Sequence, residues 1–124
     1  MKIFLDYTER VKNNSIPEHV DLTIKETIAY IENNTNSHLH VEKISEVIGY
    51  SRSYLTTKFK KQMGMSIHDY VMNTKINEAK ELLLYTSKPI VEISEYLCFS
   101  SQSHFQTVFK RLTGTTPLKY RNLS

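Results

Sequence analysis

The feature that most constrains this chain is that it contains itself twice. Ile44-Ser45-Glu46 recurs as Ile93-Ser94-Glu95, and from Ser53 onward the match continues at an offset larger by one residue. Ser53, Thr57, Phe59, Lys60, Gly64 and Tyr70 return as Ser103, Thr107, Phe109, Lys110, Gly114 and Tyr120. Leu55 answers to Phe105, Lys61 to Arg111 and Ser66 to Thr116, and one extra residue near Phe99-Ser100 accounts for the change of register. Chance supplies two or three such matches, not this many in order. A chain of 124 residues therefore has to be built from two copies of one structural unit.

The unit reads as two short helices around a tight turn. Val41, Ile44, Val47 and Ile48 recur at helical spacing and predict a helix over Val41 to Ile48 with one apolar face. Gly49 follows, where a helix end favours a left-handed residue. Ser51 is a good N-cap for a second helix, Arg52 to Met63, whose stripe is Leu55, Phe59 and Met63. Helix, glycine turn, helix is the helix-turn-helix pattern. The second copy runs from Pro89 to Leu97 and from Ser101 to Thr113, with Phe105, Phe109 and Leu112 as its stripe. Here Cys98 stands where the first copy has Gly49, so either the second turn is built differently or a side chain is tolerated in a strained conformation costing about 1 kcal/mol.

Between the copies lies one long helix, about Ile67 to Tyr85. Ser66 is its expected cap, Asp69 sits in its first turn, and Ile67, Tyr70, Val71, Ile76, Ala79, Leu82 and Leu83 form its apolar face. Thr116 and Pro117 open a last short helix. Ahead of the repeat, Val20, Ile24, Ile28 and Ile31 predict a helix over Glu18 to Asn33. The expected fold is all-α, about seven helices, with two helix-turn-helix subdomains joined by a long linker helix. The expected divisions are a tail or linker over 1–17, broken at Asn13-Asn14-Ser15-Ile16-Pro17, a first lobe over 18–65, the linker helix over 66–86 and a second lobe over 87–124.

Composition narrows the class. Hydrophobic residues make up 40% of the chain, enough for a modest core, and no window approaches the roughly 18 apolar residues of a membrane span. No signal peptide is recognisable at the start. A single cysteine allows no internal disulfide, which fits a reducing, cytoplasmic setting. The net charge of +3 is mild but uneven. Residues 1–50 hold five Lys/Arg against eight Asp/Glu, and residues 51–124 hold eleven against five. The repeat half is thus the basic half, which suits a polyanion partner without proving one.

In a helix-turn-helix the second helix enters the major groove of DNA, and its reading face lies opposite its buried stripe. That face is Ser53, Thr56, Thr57 and Lys60 in the first copy. In the second it is Ser103, Gln106, Thr107 and Lys110, with Gln102 at the helix start. Gln bridges adenine N6 and N7, and Thr bonds to a base edge or touches a thymine methyl. Ser53, Thr56, Thr57, Gln102, Ser103, Gln106 and Thr107 are the expected base readers. Arg52, Lys58, Lys60, Lys61, Lys110 and Arg111 are the expected phosphate contacts. Neither reading helix contains an Asp or Glu. The long helix, at ~1.5 Å per residue, spans roughly 30 Å. Successive major-groove faces on one side of B-DNA lie about 34 Å apart. One chain is thus long enough to address two adjacent groove segments.

These residues resemble the AraC/XylS family of bacterial transcription regulators. The resemblance covers roughly Val20 to Asn122 and is carried by Ile44 to Ser51, Tyr54-Leu55, Phe59-Lys60-Lys61, Ile76 with Ala79 and Leu82-Leu83, Ile93-Ser94-Glu95, Ser101 to Phe105, Phe109-Lys110-Arg111, and Thr113-Gly114-Thr115-Thr116-Pro117 closing at Tyr120-Arg121. It implies two helix-turn-helix lobes on a long helix. It also implies control of transcription from double-stranded promoter DNA, most often activation with RNA polymerase as a partner, and base reading at the same positions. Members commonly carry a sensor or dimerisation domain upstream. Phe4-Leu5-Asp6-Tyr7 and Val11 resemble the end of a linker from one, so the chain reads as a monomeric fragment of a regulator that dimerises elsewhere. Cys98 departs from the family's usual Gly, and the short Ser53, Thr56 and Thr57 shift the first lobe toward phosphates and DNA shape.

Other chemistry has little support. His38 and His40 lie close, but no Cys or carboxylate pair at ligand spacing joins them, so no metal is expected, and no other cofactor. No nucleophile elbow, phosphate loop or dinucleotide fingerprint is present, so the chain is not expected to be an enzyme. His104 reads as packing. Tyr30, Tyr50, Tyr54, Tyr70, Tyr85, Tyr96 and Tyr120 fall mostly on apolar faces and read as core edges rather than base-stacking platforms. Cys98 reads as a small, largely buried side chain rather than a redox sensor. The rival reading is a helical protein-interaction module with an incidental basic face.

Overall fold

The structure is a computed structural model that describes residues 16, 17 and 19–123. Seven helices and no strand occur among them: α1 Leu22–Glu32, α2 Val41–Ile48, α3 Arg52–Met63, α4 Ile67–Tyr85, α5 Ile90–Tyr96, α6 Gln102–Thr113 and α7 Pro117–Leu123. The proposed tail lies outside the described residues apart from Ile16 and Pro17. None of the described helices is long and apolar enough to cross a membrane.

Local chemistry sets most boundaries. Ser51, Ser66, Ser101 and Thr116 each accept a hydrogen bond from the backbone N–H three residues on, at 3.1, 3.0, 2.9 and 3.2 Å. Each side-chain cap of this kind is worth about 1 kcal/mol. Gly49, Gly64 and Gly114 end α2, α3 and α6 at φ of 92°, 78° and 86°, in the left-handed region glycine enters without strain. The first helix departs from expectation. It starts at Leu22 rather than Glu18, because Asp21 takes the extended conformation of a capping residue. Its carboxylate does not cap, and pairs instead with Lys58 on α3.

Two cores follow the repeat. The first gathers Val20, Ile24, Ile28, Ile31, Ile44, Leu55, Phe59, Ile67, Tyr70 and Val71. The second gathers Ile76, Ala79, Leu83, Ile93, Leu97, Phe99, Phe105, Val108 and Phe109. Helix α4 supplies both, packing on α1 and α3 at its start and on α5, α6 and α7 further along. Tyr70 and Arg121 tie its two ends. The Tyr70 hydroxyl donates to Glu32 at 2.7 Å, and the Arg121 guanidinium donates to the carbonyls of Leu83 and Thr86 at 3.0 and 3.1 Å, satisfying groups a helix end leaves bare.

Val47, expected on the apolar face of α2, is 48% exposed. Tyr50, Tyr54, Tyr85 and Tyr96 are likewise exposed, against the expectation that the tyrosines edge the cores; among the described tyrosines only Tyr70 is buried. For Val47 and Tyr96 the reason is that α2 and α5 are short and bury only two residues each, Ile44 with Ser45 and Ile93 with Ser94. Tyr50 and Tyr54 stack on each other instead, with ring centroids 5.1 Å apart.

The turn at Cys98 is strained and kept. Its φ is 60°, so the side chain sits in the left-handed region. The backbone bond that closes the first turn, Tyr50 N–H to Ser45 at 3.2 Å, has its counterpart in Phe99 N–H to Ser94 at 3.0 Å. The thiol in addition donates to the carbonyl of Asn36 at 3.4 Å, in the loop between α1 and α2.

Lys75 is buried to 3% exposure in the middle of α4. Its three protons meet three main-chain carbonyls, of Thr35 at 2.7 Å, Ser37 at 2.8 Å and Leu97 at 2.6 Å. Burial pushes its pKa down to about 8. The folded value lies below the unfolded one of about 10.4, so between them the unfolded chain holds more protons. This residue's contribution to stability therefore rises with pH across that window, and its cost is fully present below it. We expect the Lys75 Cε resonance to titrate with a midpoint near 8. A midpoint at the ordinary lysine value would contradict the burial.

Candidate nucleic-acid interface

Helices α3 and α6 present matching faces. Each is capped by a serine at its start and by a left-handed glycine at its end, which fixes its length at 12 residues. Leu55 and Phe59 anchor α3, and Phe105, Val108 and Phe109 anchor α6. Val108 is one core residue more than the expected stripe held. With these faces buried, Ser53, Thr57, Lys60 and Lys61 of α3 are exposed and Thr56 is half-buried. On α6, Gln102, Ser103, Thr107, Lys110 and Arg111 are exposed and Gln106 is half-buried. All seven expected base readers thus lie on two outward helix faces.

Their hydrogen-bonding states differ. Thr56 donates its hydroxyl back to the carbonyl of Ser53 at 3.2 Å, which leaves the oxygen able only to accept. The second face is more open. Among the described residues Gln102, Ser103, Gln106 and Thr107 make no side-chain hydrogen bond, so their donors and acceptors are available to a ligand. His104 beside them is used internally, its Nδ1 3.1 Å from Ser100 Oγ and its ring edge-on to Phe99. The residue itself is exposed, so the packing expected of it is confined to that one edge against Phe99.

Helix α3 stands as a ridge between two grooves. One, of about 630 Å³, is lined by His19, Ser53, Tyr54, Thr57, Lys58, Lys61 and Gln62. The other, of about 530 Å³, is lined by Val41, Thr56, Thr57, Lys60, Lys61 and the start of α4 at Ser66, Ile67 and His68. Thr57 and Lys61 border both. A projecting helix that carries Ser, Thr and Lys side chains is the shape that enters a groove of DNA.

The six expected phosphate cations are not equivalent. Lys60, Lys61, Lys110 and Arg111 form no ion pair with any described residue. Arg52 lies 3.5 Å from Glu42, with both side chains well exposed, a contact that solvent weakens. Lys58 is committed. It pairs with Asp21 and lies 3.3 Å from the Tyr54 hydroxyl. The hydrogen bond to Asp21 comes first among the causes that hold its pKa above the ordinary value, and the same bond lowers that of Asp21. Arg111 and Asp69 of α4 both line a small cleft.

Sequence reasoning missed Asp21 and Lys75. Lys75 did leave a trace, because Val71, Lys75 and Ala79 fall on one helical stripe of α4 and place a cation among apolar residues. Asp21 left none, since any acid at a helix start looks like a cap. His38 and His40 stack with centroids 6.1 Å apart, and no group of three or more metal-ligating side chains comes together among the described residues.

Comparison with known proteins agrees with this geometry. Residues 44–123 match a family described as a helix-turn-helix domain. The chain is 36% identical over 100 residues to the multiple antibiotic resistance protein MarA of Salmonella typhimurium, covering 81% of this chain and 79% of MarA. It is 33% identical over 104 residues to the xylose operon regulatory protein of Escherichia coli, covering 84% of this chain and only 26% of that longer protein. The C-terminal domain of the response regulator AraT from Geobacillus stearothermophilus superposes with a TM-score of 0.82 at 29% identity, covering 86% of this chain and 89% of that one. A Chromobacterium violaceum regulator described as having an AraC-type DNA-binding domain gives 0.75 at 31% identity, covering 81% and 89%.

Proposed function

This chain belongs to the AraC/XylS family of transcription regulators, and from that premise we propose that it binds double-stranded promoter DNA sequence-selectively through α3 and α6, set in adjacent major-groove segments. The observation that carries the reading is the pair of outward helix faces, free of acids and lined by polar side chains, on one linker helix of 19 residues. That helix is roughly 28 Å long at 1.5 Å per residue, close to one turn of B-DNA. Ser53, Thr56, Thr57, Gln102, Ser103, Gln106 and Thr107 read bases. Lys60, Lys61, Lys110, Arg111 and Arg52 hold phosphates, and Lys58 contributes least because Asp21 already answers its charge. The second unit supplies more direct base reading, since its glutamines are unengaged. The first supplies more grip.

The regulatory outcome we favour is activation in a bacterial cytoplasm, with RNA polymerase as the partner that reads out the bound complex. Lobes over 18–65 and 87–124 flank the linker over 66–86. This module binds as a monomer, and any dimerisation belongs to further sequence upstream. The chain acts by binding, and nothing in its faces calls for catalysis.

Selection from randomised duplexes tests the reading and yields the site. On that site Gln102→Ala or Thr107→Ala is expected to cost about 1–3 kcal/mol and to relax the choice of base at one position. Lys60→Ala should weaken all duplexes alike. Equal affinity for every sequence, or the same behaviour from both groups of variants, overturns the assignment. A chain that binds no duplex at low salt is instead a protein-interaction module.

A further inference from the structure

We propose that Lys75 is the positioning residue that sets the relative orientation of the two recognition helices, and with it the spacing between the two base clusters the chain accepts. Its ammonium bonds at once to the α1–α2 loop of the first unit, through Thr35 and Ser37, and to the turn of the second unit, through Leu97. The spacing half of this inference rests on the DNA reading above, and the orientation half does not.

Among the described residues little else joins the two units: their helices meet mainly through α4, and Met65 and Leu112 border one small cleft. The first core ends on α4 at Val71 and the second begins at Ile76. Met72 alone of the half-buried residues packs against both. Cys98 adds one weak bond across the same seam, its thiol meeting Asn36, between the two carbonyls that Lys75 holds in the first unit. Helix α4 by itself fixes how far apart the units stand, while the rotation of the second turn about the helix depends on this cluster of carbonyls.

The chemistry of the site also points to orientation rather than stability. Among the described residues no carboxylate pairs with the ammonium: its three bonds go to main-chain oxygens. A buried charge without an ion pair is a costly way to satisfy three carbonyls, since a neutral donor serves a carbonyl without the desolvation of a charge. What such a donor does not supply is a rigid three-way joint. Three acceptors from two units around three protons define one arrangement, because a shift of the turn at Leu97 by an ångström or two breaks a bond that nothing else replaces. On DNA the tolerance is tight. One base pair displaces a groove edge by about 3.4 Å and rotates it by roughly 34–36°.

The test uses the whole chain and Lys75→Met, which keeps the volume and removes all three donors. Residual dipolar couplings of the free protein read orientation directly. The wild type should fit one alignment tensor across both units, and Lys75→Met should need two. A duplex series then places the two selected base clusters at the preferred spacing and at one and two base pairs to either side. The wild type should favour one spacing by about tenfold or more, and Lys75→Met by less than about threefold. Duplexes carrying a single cluster should bind both proteins within about twofold. If Lys75→Met does not fold, Lys75→Gln keeps two N–H donors for the three carbonyls and carries the same two readings. A variant that keeps one tensor and the wild-type spacing preference overturns the proposal and leaves Lys75 a residue of stability only. A changed tensor in a protein whose wild type ignores spacing upholds the joint, overturns its role in spacing, and counts against the two-cluster reading itself.

Discussion

Phe105→Ala is expected to unfold the second unit and leave the first folded. Phe105 is fully buried, with its ring 5.1 Å from Phe99 and 5.8 Å from Phe109 between centroids, at the centre of the second core. Truncating such a ring costs about 3–5 kcal/mol, the transfer of the ring plus the cavity it leaves. Whole domains of modest size are stable by only about 5–15 kcal/mol, and a unit of half a domain has less to lose. The first core shares little with the second beyond Met72, so it keeps its own packing. Hydrogen exchange read by peptide should show protection lost over α5 to α7 and kept over α1 to α3. Affinity for a duplex carrying both base clusters should fall to that of the first cluster alone. Uniform loss of protection along the chain would show that the two cores are one cooperative body.

Salt should weaken DNA binding steeply. Lys60, Lys61, Lys110 and Arg111 are uncommitted among the described residues, and Arg52 is held only by an exposed pairing to Glu42. With about four to five phosphates neutralised, log K should fall with log salt at a slope of about −4. Between 50 and 200 mM salt that is a loss of about two to three orders of magnitude. Fluorescence anisotropy at four ionic strengths measures it. Lys61→Ala should reduce the slope by about one. Lys58→Ala should leave it nearly unchanged, because Asp21 already holds that cation. A slope shallower than −1 would mean that the basic faces do not meet the duplex.

Much of the fold is legible in the sequence because its signals are local. The bounds of α3 and α4 follow from Ser51, Ser66 and the glycine after Met63, all within one turn of the helix they delimit. Helical periodicity places Phe59 and Phe109 inward, and so turns Thr57 and Thr107 outward. The same periodicity misleads on α2, where Val47 sits at an apolar position and yet stays exposed. A helix of 8 residues touches its neighbours along too narrow a line to cover a third row of side chains. It also misleads at the start of α1, where the run of apolar residues begins at Val20 and the helix does not begin until Leu22.

By itself, then, the sequence determined what repeats, where α2, α3 and α4 start and stop, and which faces of α3 and α6 look outward. Capping, left-handed glycine and a 3.6-residue period all act within a few residues, so they are written in the chain where they operate. Only the tertiary structure decided which cations are free and which are taken. Lys58 is claimed by Asp21 from the far end of the first unit, and Lys75 by carbonyls 40 and 22 positions away. Such partners are chosen by how helices pack, and main-chain oxygens in particular carry no residue identity for a sequence to reveal. The Cys98 turn shows both sides. The repeat marks the position as one for glycine, and the fold sets a thiol there against the loop of the other unit.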